Sequence, residues 1–220
     1  MERFGNVLKT EVDKAKFFTK ITAEDREKVK NWLAKQNGET DEEKSFLTRV
    51  REAVKVVNYD YWIANLEPSV TVTNEKIYYA KGNVVGQGYS FQQWRQMAKE
   101  YATERGSRLS NEYELYIWYA LRIVNGLWTL DYVANDSSNE GNYWNAPGST
   151  HSIERTGERK CGGFCDGQGN SFKIVTCEGA YAMVGGEYSE HGRCCTVALV
   201  RYRGTDLFPI SGSGVLVLTK

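Results

Sequence analysis

Apolar residues recur at helical spacing twice in the first quarter of the chain. Val29, Trp32 and Leu33 follow the run Thr22-Ala23-Glu24-Asp25. There a hydroxyl can accept from an exposed backbone N–H, with an acid three residues on, so a helix starts at this point. Asn37-Gly38 is expected to stop it. Thr40-Asp41-Glu42-Glu43 repeats the start signal, and Phe46, Leu47, Val50, Ala53 and Val54 form the next apolar stripe. The pattern predicts two antiparallel helices joined by a short turn, with the charge run at 41–44 a solvated helix start.

The texture then changes. Segments 56–63 and 70–73 are rich in β-branched and aromatic residues and read as strands. Ser90-Phe91-Gln92-Gln93 opens a helix that is expected to run through Trp94 to Gly106, and Ser110 is expected to cap a second one from Asn111 to about Ile123. Some fifty irregular, glycine-rich residues follow. Short strands are predicted at 172–176, 180–184, 195–201 and 214–219. Helices set inside a strand-rich, loop-rich region make an α+β pattern, not an alternating βαβ one. The division expected is a helical N-terminal segment, 1–56, and a larger domain, 57–220.

Charge and composition narrow the chemistry. Lys and Arg number 28 and so do Asp and Glu, so neutralising a phosphate backbone is not the main task and no nucleic-acid partner is expected. No apolar run is long enough to span a bilayer, and Met1-Glu2-Arg3-Phe4-Gly5 leads into charged residues, so neither a membrane segment nor a signal peptide is expected. Five cysteines, at 161, 165, 177, 194 and 195, exclude a fully paired disulfide framework. Cys161, Cys165 and Cys177 with His191 or Cys194 have the ligand types of a zinc site at an unusual spacing. A disulfide or buried thiols is the alternative, and no metal or other cofactor is expected. Neither histidine, His151 or His191, lies in a metal-binding helix motif or beside a nucleophile elbow. The glycines of 161–169 lack the following helix that a phosphate cradle needs.

Gly88-Tyr89-Ser90-Phe91, then Gly106-Ser107-Arg108-Leu109-Ser110-Asn111-Glu112-Tyr113-Glu114 and Trp118-Tyr119-Ala120, resembles the core of formylglycine-generating-enzyme-like domains. In that family an Arg-Leu-Pro-Thr-Glu-like turn leads into a helix. Ala182-Met183-Val184-Gly185-Gly186-Glu187-Tyr188 is similar to the family's apolar strand, double glycine and aromatic, and Gly192, Ala198-Leu199 and Gly212 continue the likeness. The resemblance spans roughly 57–220 and implies a C-type lectin-like fold of the formylglycine-generating-enzyme type. The family's enzymes use two cysteines separated by four residues after the double glycine. If Cys194 or Cys195 stands for the second, the first falls at Ser189 or Glu190, and neither forms a thiolate. Adjacent residues on a strand point to opposite faces, so Cys194-Cys195 does not replace the pair. No catalytic residue is therefore expected; the alternative is a formylglycine-generating-enzyme-like oxidase acting on a cysteine.

The resemblance extends to a non-catalytic branch, the variable proteins of diversity-generating retroelements. These use the same lectin-like fold for ligand binding, and adenine-directed mutagenesis rewrites codons near the C-terminus. Rewritten asparagine-type codons cannot encode Lys, Glu, Gln, Met or Trp. Those types fill 50 of the 220 positions, yet 191–219 contains none of them. Segment 200–209 mixes charged, aromatic and apolar residues without clean alternation. The reading is a sequence-variable recognition surface made of Tyr188, Ser189, His191, Arg193, Arg201, Tyr202, Arg203, Thr205, Asp206 and Phe208. Tyr and Arg are frequent interface hot spots. The expected partner is a macromolecule, a protein on a cell surface, met from a virion surface or another exposed assembly such as a phage particle. An ordinary hairpin with its turn at 204–206 is the plainer alternative. Trp62, Trp94, Trp118 and Trp128 are expected to stiffen the frame.

Overall fold

The computed structural model describes residues 11–65, 70–72, 77–79, 89–90, 106–134, 172–177, 180–184, 199–201, 207–208 and 212–218. The helices are α1 (Glu11–Phe17), α2 (Ala23–Leu33), α3 (Asp41–Val56), α4 (Glu112–Val124) and α5 (Leu130–Ala134). The strands are β1 (Thr19–Ile21), β2 (Tyr61–Asn65), β3 (Val70–Val72), β4 (Ile77–Tyr79), β5 (Tyr89–Ser90) and β6 (Ser107–Leu109). They continue as β7 (Phe172–Cys177), β8 (Ala180–Val184), β9 (Leu199–Arg201), β10 (Leu207–Phe208) and β11 (Gly212–Leu218). The architecture is α+β.

Seven strands form one sheet in the order β1-β2-β11-β7-β8-β9, with β6 also beside β11. β11 is the hub. Its first half runs parallel to β7, with Gly212 opposite Phe172, and its second half runs antiparallel to β6, with Val217 opposite Arg108. β2 lines its other side, with Val217 opposite Ile63. β3 with β4 and β5 with β10 form two further two-stranded sheets.

Helices α2 and α3 pack on α4, and α4 packs on the sheet at β7. One core joins Val29, Leu47 and Val50 of the helices to Ile117 and Trp118 of α4 and to Ile63, Val175, Val184, Val215 and Val217 of the sheet. The sheet residues alternate along their strands, as a face turned to a helical layer requires. Leu216, Ala64 and Leu109 fall on the other face, opposite one another in register, and are buried too. β11 is thus covered on both sides, which explains its unbroken Val-Leu-Val-Leu run.

The N-terminal segment feeds both layers. β1 pairs with β2, Lys20 opposite Trp62, while α2 and α3 supply the outer helices. Thr22 caps α2 in a reciprocal box with Asp25, and Thr40 caps α3 through Glu43 N–H. Three expectations shift. Helix α2 ends at Leu33 instead of running to Asn37-Gly38; Gly38 lies in the connection, at φ +71°. The charge run at 41–44 is not wholly solvated, since Glu43 is buried and accepts from Glu39 N–H at 2.6 Å. Val56 closes α3 and does not open a strand: Val57 N–H still reaches Ala53 O at 2.9 Å, and β2 begins only at Tyr61. β-branched propensity yields there to the end of an amphipathic helix whose stripe is buried. The helix expected at 90–106 lies outside the described residues beyond Ser90.

Candidate functional site

Residues 107–114 hold the sheet and helix α4 together. Ser107 and Leu109 of β6 are buried and Arg108 between them is exposed, the alternation of a strand on a core. Ser110 does not cap α4. Its N–H donates to Val215 O of β11 at 2.7 Å, and its carbonyl accepts from Thr176 N–H of β7 at 2.8 Å. The residue thereby stitches the two halves of the sheet and is pulled out of cap geometry. Asn111 caps the helix one residue later. Its Oδ1 accepts from Glu114 N–H at 2.8 Å, and the Glu114 carboxylate accepts from Asn111 N–H at 2.8 Å. The Asn-x-x-Glu spacing was a legible sign of this box.

Glu114 is the centre of a polar cluster. It is fully buried, which an ionised carboxylate tolerates only when its lone pairs are used. Arg108 donates to it through both terminal nitrogens, at 2.9 and 2.5 Å, and Tyr59 OH donates at 2.5 Å. Tyr61 OH donates to the Glu114 backbone carbonyl at 2.8 Å. The hydrogen bond from Arg108 to Glu114 raises the guanidinium pKa above its ordinary value. Burial, then the hydrogen bond to Glu114, raises that of the Tyr59 phenol, and burial pushes Tyr61 well above its usual value. Both oxygens of the carboxylate are engaged, so the cluster orients and stiffens the run 108–114. Nothing in the sequence ties Tyr59 to it, for the two residues lie 55 apart.

Of the ten sequence-predicted surface positions, two fall on described strands. Arg201 ends β9, opposite Ala182 of β8, and Phe208 ends β10, opposite Tyr89 of β5. Tyr188, Ser189, His191, Arg193, Tyr202, Arg203, Thr205 and Asp206 lie outside the described residues. So do Trp94, Cys161, Cys165, Cys194 and Cys195. The strands within 200–208 are not partners of each other among the described residues, since β9 joins β8 and β10 joins β5. The hairpin turn expected at 204–206 lies outside the described residues. The segment 185–211 begins at β8, where Ala182 and Val184 are fully buried, and ends at β11.

Two other features complete the described surface and interior. Arg122 is buried with its guanidinium 5.0 Å from the Trp118 ring centroid and 5.7 Å from that of Trp128, which fastens the end of α4 to the approach to α5. Trp62 is part-exposed, not buried, with Lys14 and Lys20 near its ring. An open groove of about 440 Å3 runs between α3 and the first turn of α4, walled by Asp41, Lys44, Arg49, Glu52, Glu112 and Tyr113 among others. Its walls carry charges of both signs. Among the described residues no group of three or more His, Cys, Asp or Glu is placed to hold a metal ion, and no helix is long and apolar enough to cross a membrane. Comparison with protein-family models, curated proteins and solved structures found no match.

Proposed function

We propose that this chain is a non-catalytic display protein with a C-type lectin-like domain, whose C-terminal segment is a sequence-variable recognition surface for a cell-surface protein. It would act as the variable proteins of diversity-generating retroelements do, carried on a virion or another exposed assembly. The observation that carries the reading is the placement of segment 185–211 between two strands anchored in the core. Val184 is fully buried at one end, and Val215, Leu216 and Val217 are 0 to 2% exposed at the other. A segment held at both ends, and along its course by the pairing of β9 with β8 and of β10 with β5, keeps its backbone while exposed side chains change, because surface substitutions typically shift stability by about 0.5 kcal/mol or less. A rigid frame also lowers the entropy of ordering on binding.

The missing Lys, Glu, Gln, Met and Trp over 191–219 support the same reading. A one-sided footprint of roughly 800 Å² needs more than ten residues. Loops at 143–149 or 161–169, both outside the described residues, would supply the remainder.

Tyr202→Ala tests the proposal. The variant keeps its melting temperature to within about 2 °C and loses binding to host cells in flow cytometry with the purified full-length chain. A drop of more than about 5 °C, equivalent to well over 1 kcal/mol at this size, would make Tyr202 a core residue and end the display reading there. The genomic locus provides a second test. A reverse-transcriptase gene beside a near-copy of the last stretch of coding sequence, differing at adenines, is the expected neighbour.

A further inference from the structure

We propose that Tyr59 is a positioning residue through which the N-terminal helices set the stiffness of the strands that flank the C-terminal segment. The functional meaning of this coupling rests on the display reading; the test of it does not.

Tyr59 sits in the connection 57–60 between α3 and β2 and is gripped from both sides. Its carbonyl accepts from Arg26 Nη1 of α2 at 2.6 Å, and its hydroxyl donates to Glu114 of α4 at 2.5 Å. Arg26 is itself buried and pairs with the neighbouring Asp60 at 3.5 Å. One residue therefore joins the outer helical layer to the buried carboxylate.

From Glu114 the contacts run directly into the sheet. The same carboxylate holds both terminal nitrogens of Arg108, and Arg108 lies opposite Val217 of β11. Ser110, between Arg108 and Glu114, bonds Val215 of β11 and Thr176 of β7. β11 receives the end of segment 185–211, and β7 pairs over Lys173–Cys177 with β8, from which that segment departs. Both flanks of the segment are thus tied to the run 108–114, and Glu114 braces that run.

A fully buried carboxylate stripped of one donor draws in another, from a neighbouring side chain or from water at the 40% exposed Tyr59 position. Arg108 is the adjustable partner, since 42% of its side chain is already exposed, whereas the Asn111 N–H is fixed by the helix. Loss of the Tyr59 hydroxyl is therefore felt first in β6 and at the Ser110 junction. The packing of α2 and α3, built on Val29, Leu47 and Val50, does not depend on it. A partner that grips the N-terminal helices would then stiffen the recognition surface, and ligand binding there would in turn favour that grip.

Hydrogen exchange on the full chain tests this with Tyr59→Phe and, as a second route into the same cluster, Arg108→Lys. In both variants the amides of Ser110, Thr176 and Val217 exchange about tenfold faster than in the parent chain, the loss of one hydrogen bond to a charged group. The amides of Val29 and Val50 keep their protection. A uniform change across the molecule, or no change at Ser110 and Thr176, overturns the proposal, because Tyr59 then contributes to global stability or to nothing. No ligand enters the measurement. Local acceleration in a protein whose Tyr202→Ala variant unfolds early would leave the coupling standing and the display reading lost; uniform exchange with a stable Tyr202→Ala variant would do the reverse.

Discussion

Ser110 and Asn111 are neighbours with opposite expected responses to alanine. Ser110 is fully buried and its hydroxyl has no hydrogen-bond partner among the described residues, while its backbone groups are bonded to β11 and β7. An unpaired buried polar group costs about 1–3 kcal/mol. Ser110→Ala removes that cost and leaves the backbone bonds intact. The void left by one oxygen atom returns a few tenths of a kcal/mol. The net expectation is a gain of roughly 1 kcal/mol, a rise in melting temperature of about 2–4 °C for a chain of this length.

Asn111→Ala removes the acceptor for Glu114 N–H, a cap worth typically about 1 kcal/mol. The Glu114 carboxylate keeps its bond from Asn111 N–H, so the loss stays at that size. Urea titration reads both changes as displacements of the midpoint at constant slope. The reasoning fails if Ser110→Ala is destabilised as much as Asn111→Ala, for that would make Ser110 the working cap and the register of α4 wrong by one.

Two further outcomes follow from the same cluster. Arg108→Ala leaves the Glu114 carboxylate short of two charge-assisted bonds; because 42% of the arginine side chain is exposed and water can enter its place, the loss is about 2–3 kcal/mol instead of the full value for a sealed pair. In a double-mutant cycle with Glu114→Ala the two changes should couple by at least about 1 kcal/mol, and additive losses would mean that the pair contributes nothing of its own. The second outcome concerns alkaline pH. Burial holds the phenols of Tyr59, Tyr61 and Tyr119 above their ordinary value in the folded chain. The folded state resists their ionisation more than the unfolded state does, so their contribution is whole below pH of about 10 and is lost as pH rises past it. Melting temperature should decline steadily from about pH 10 upward; a flat profile there would contradict the burial of these hydroxyls.

Features set by neighbours a few residues away were legible in the chain itself. The caps at Thr22 and Thr40 and the stripe Phe46-Leu47-Val50-Ala53 appear as the pattern predicts, because a cap and a helical face are decided within one or two turns. Strands β7, β8 and β11 were found to within a residue or two, since short runs rich in apolar and β-branched residues suit a covered strand. Boundaries that depend on what arrives from elsewhere were not legible. Val56 reads as strand in isolation and finishes a helix because α3 is packed on α4. Ser110 reads as a cap, and becomes a sheet junction because β11 and β7 come to its backbone from 66 or more residues away.

The α+β character, the two N-terminal helices with their caps, and the apolar strands near the end of the chain follow from the order of residues alone. Local dihedral preference and the alternation of apolar side chains suffice for these. The place of β11 as the hub of seven strands, the division of β9 and β10 between different sheets, and the cluster of Tyr59, Arg108 and Glu114 arise from long-range packing. A hydrogen bond to a buried carboxylate gains its strength from the exclusion of water. That exclusion exists only once distant segments have been brought together, so no local pattern can announce it.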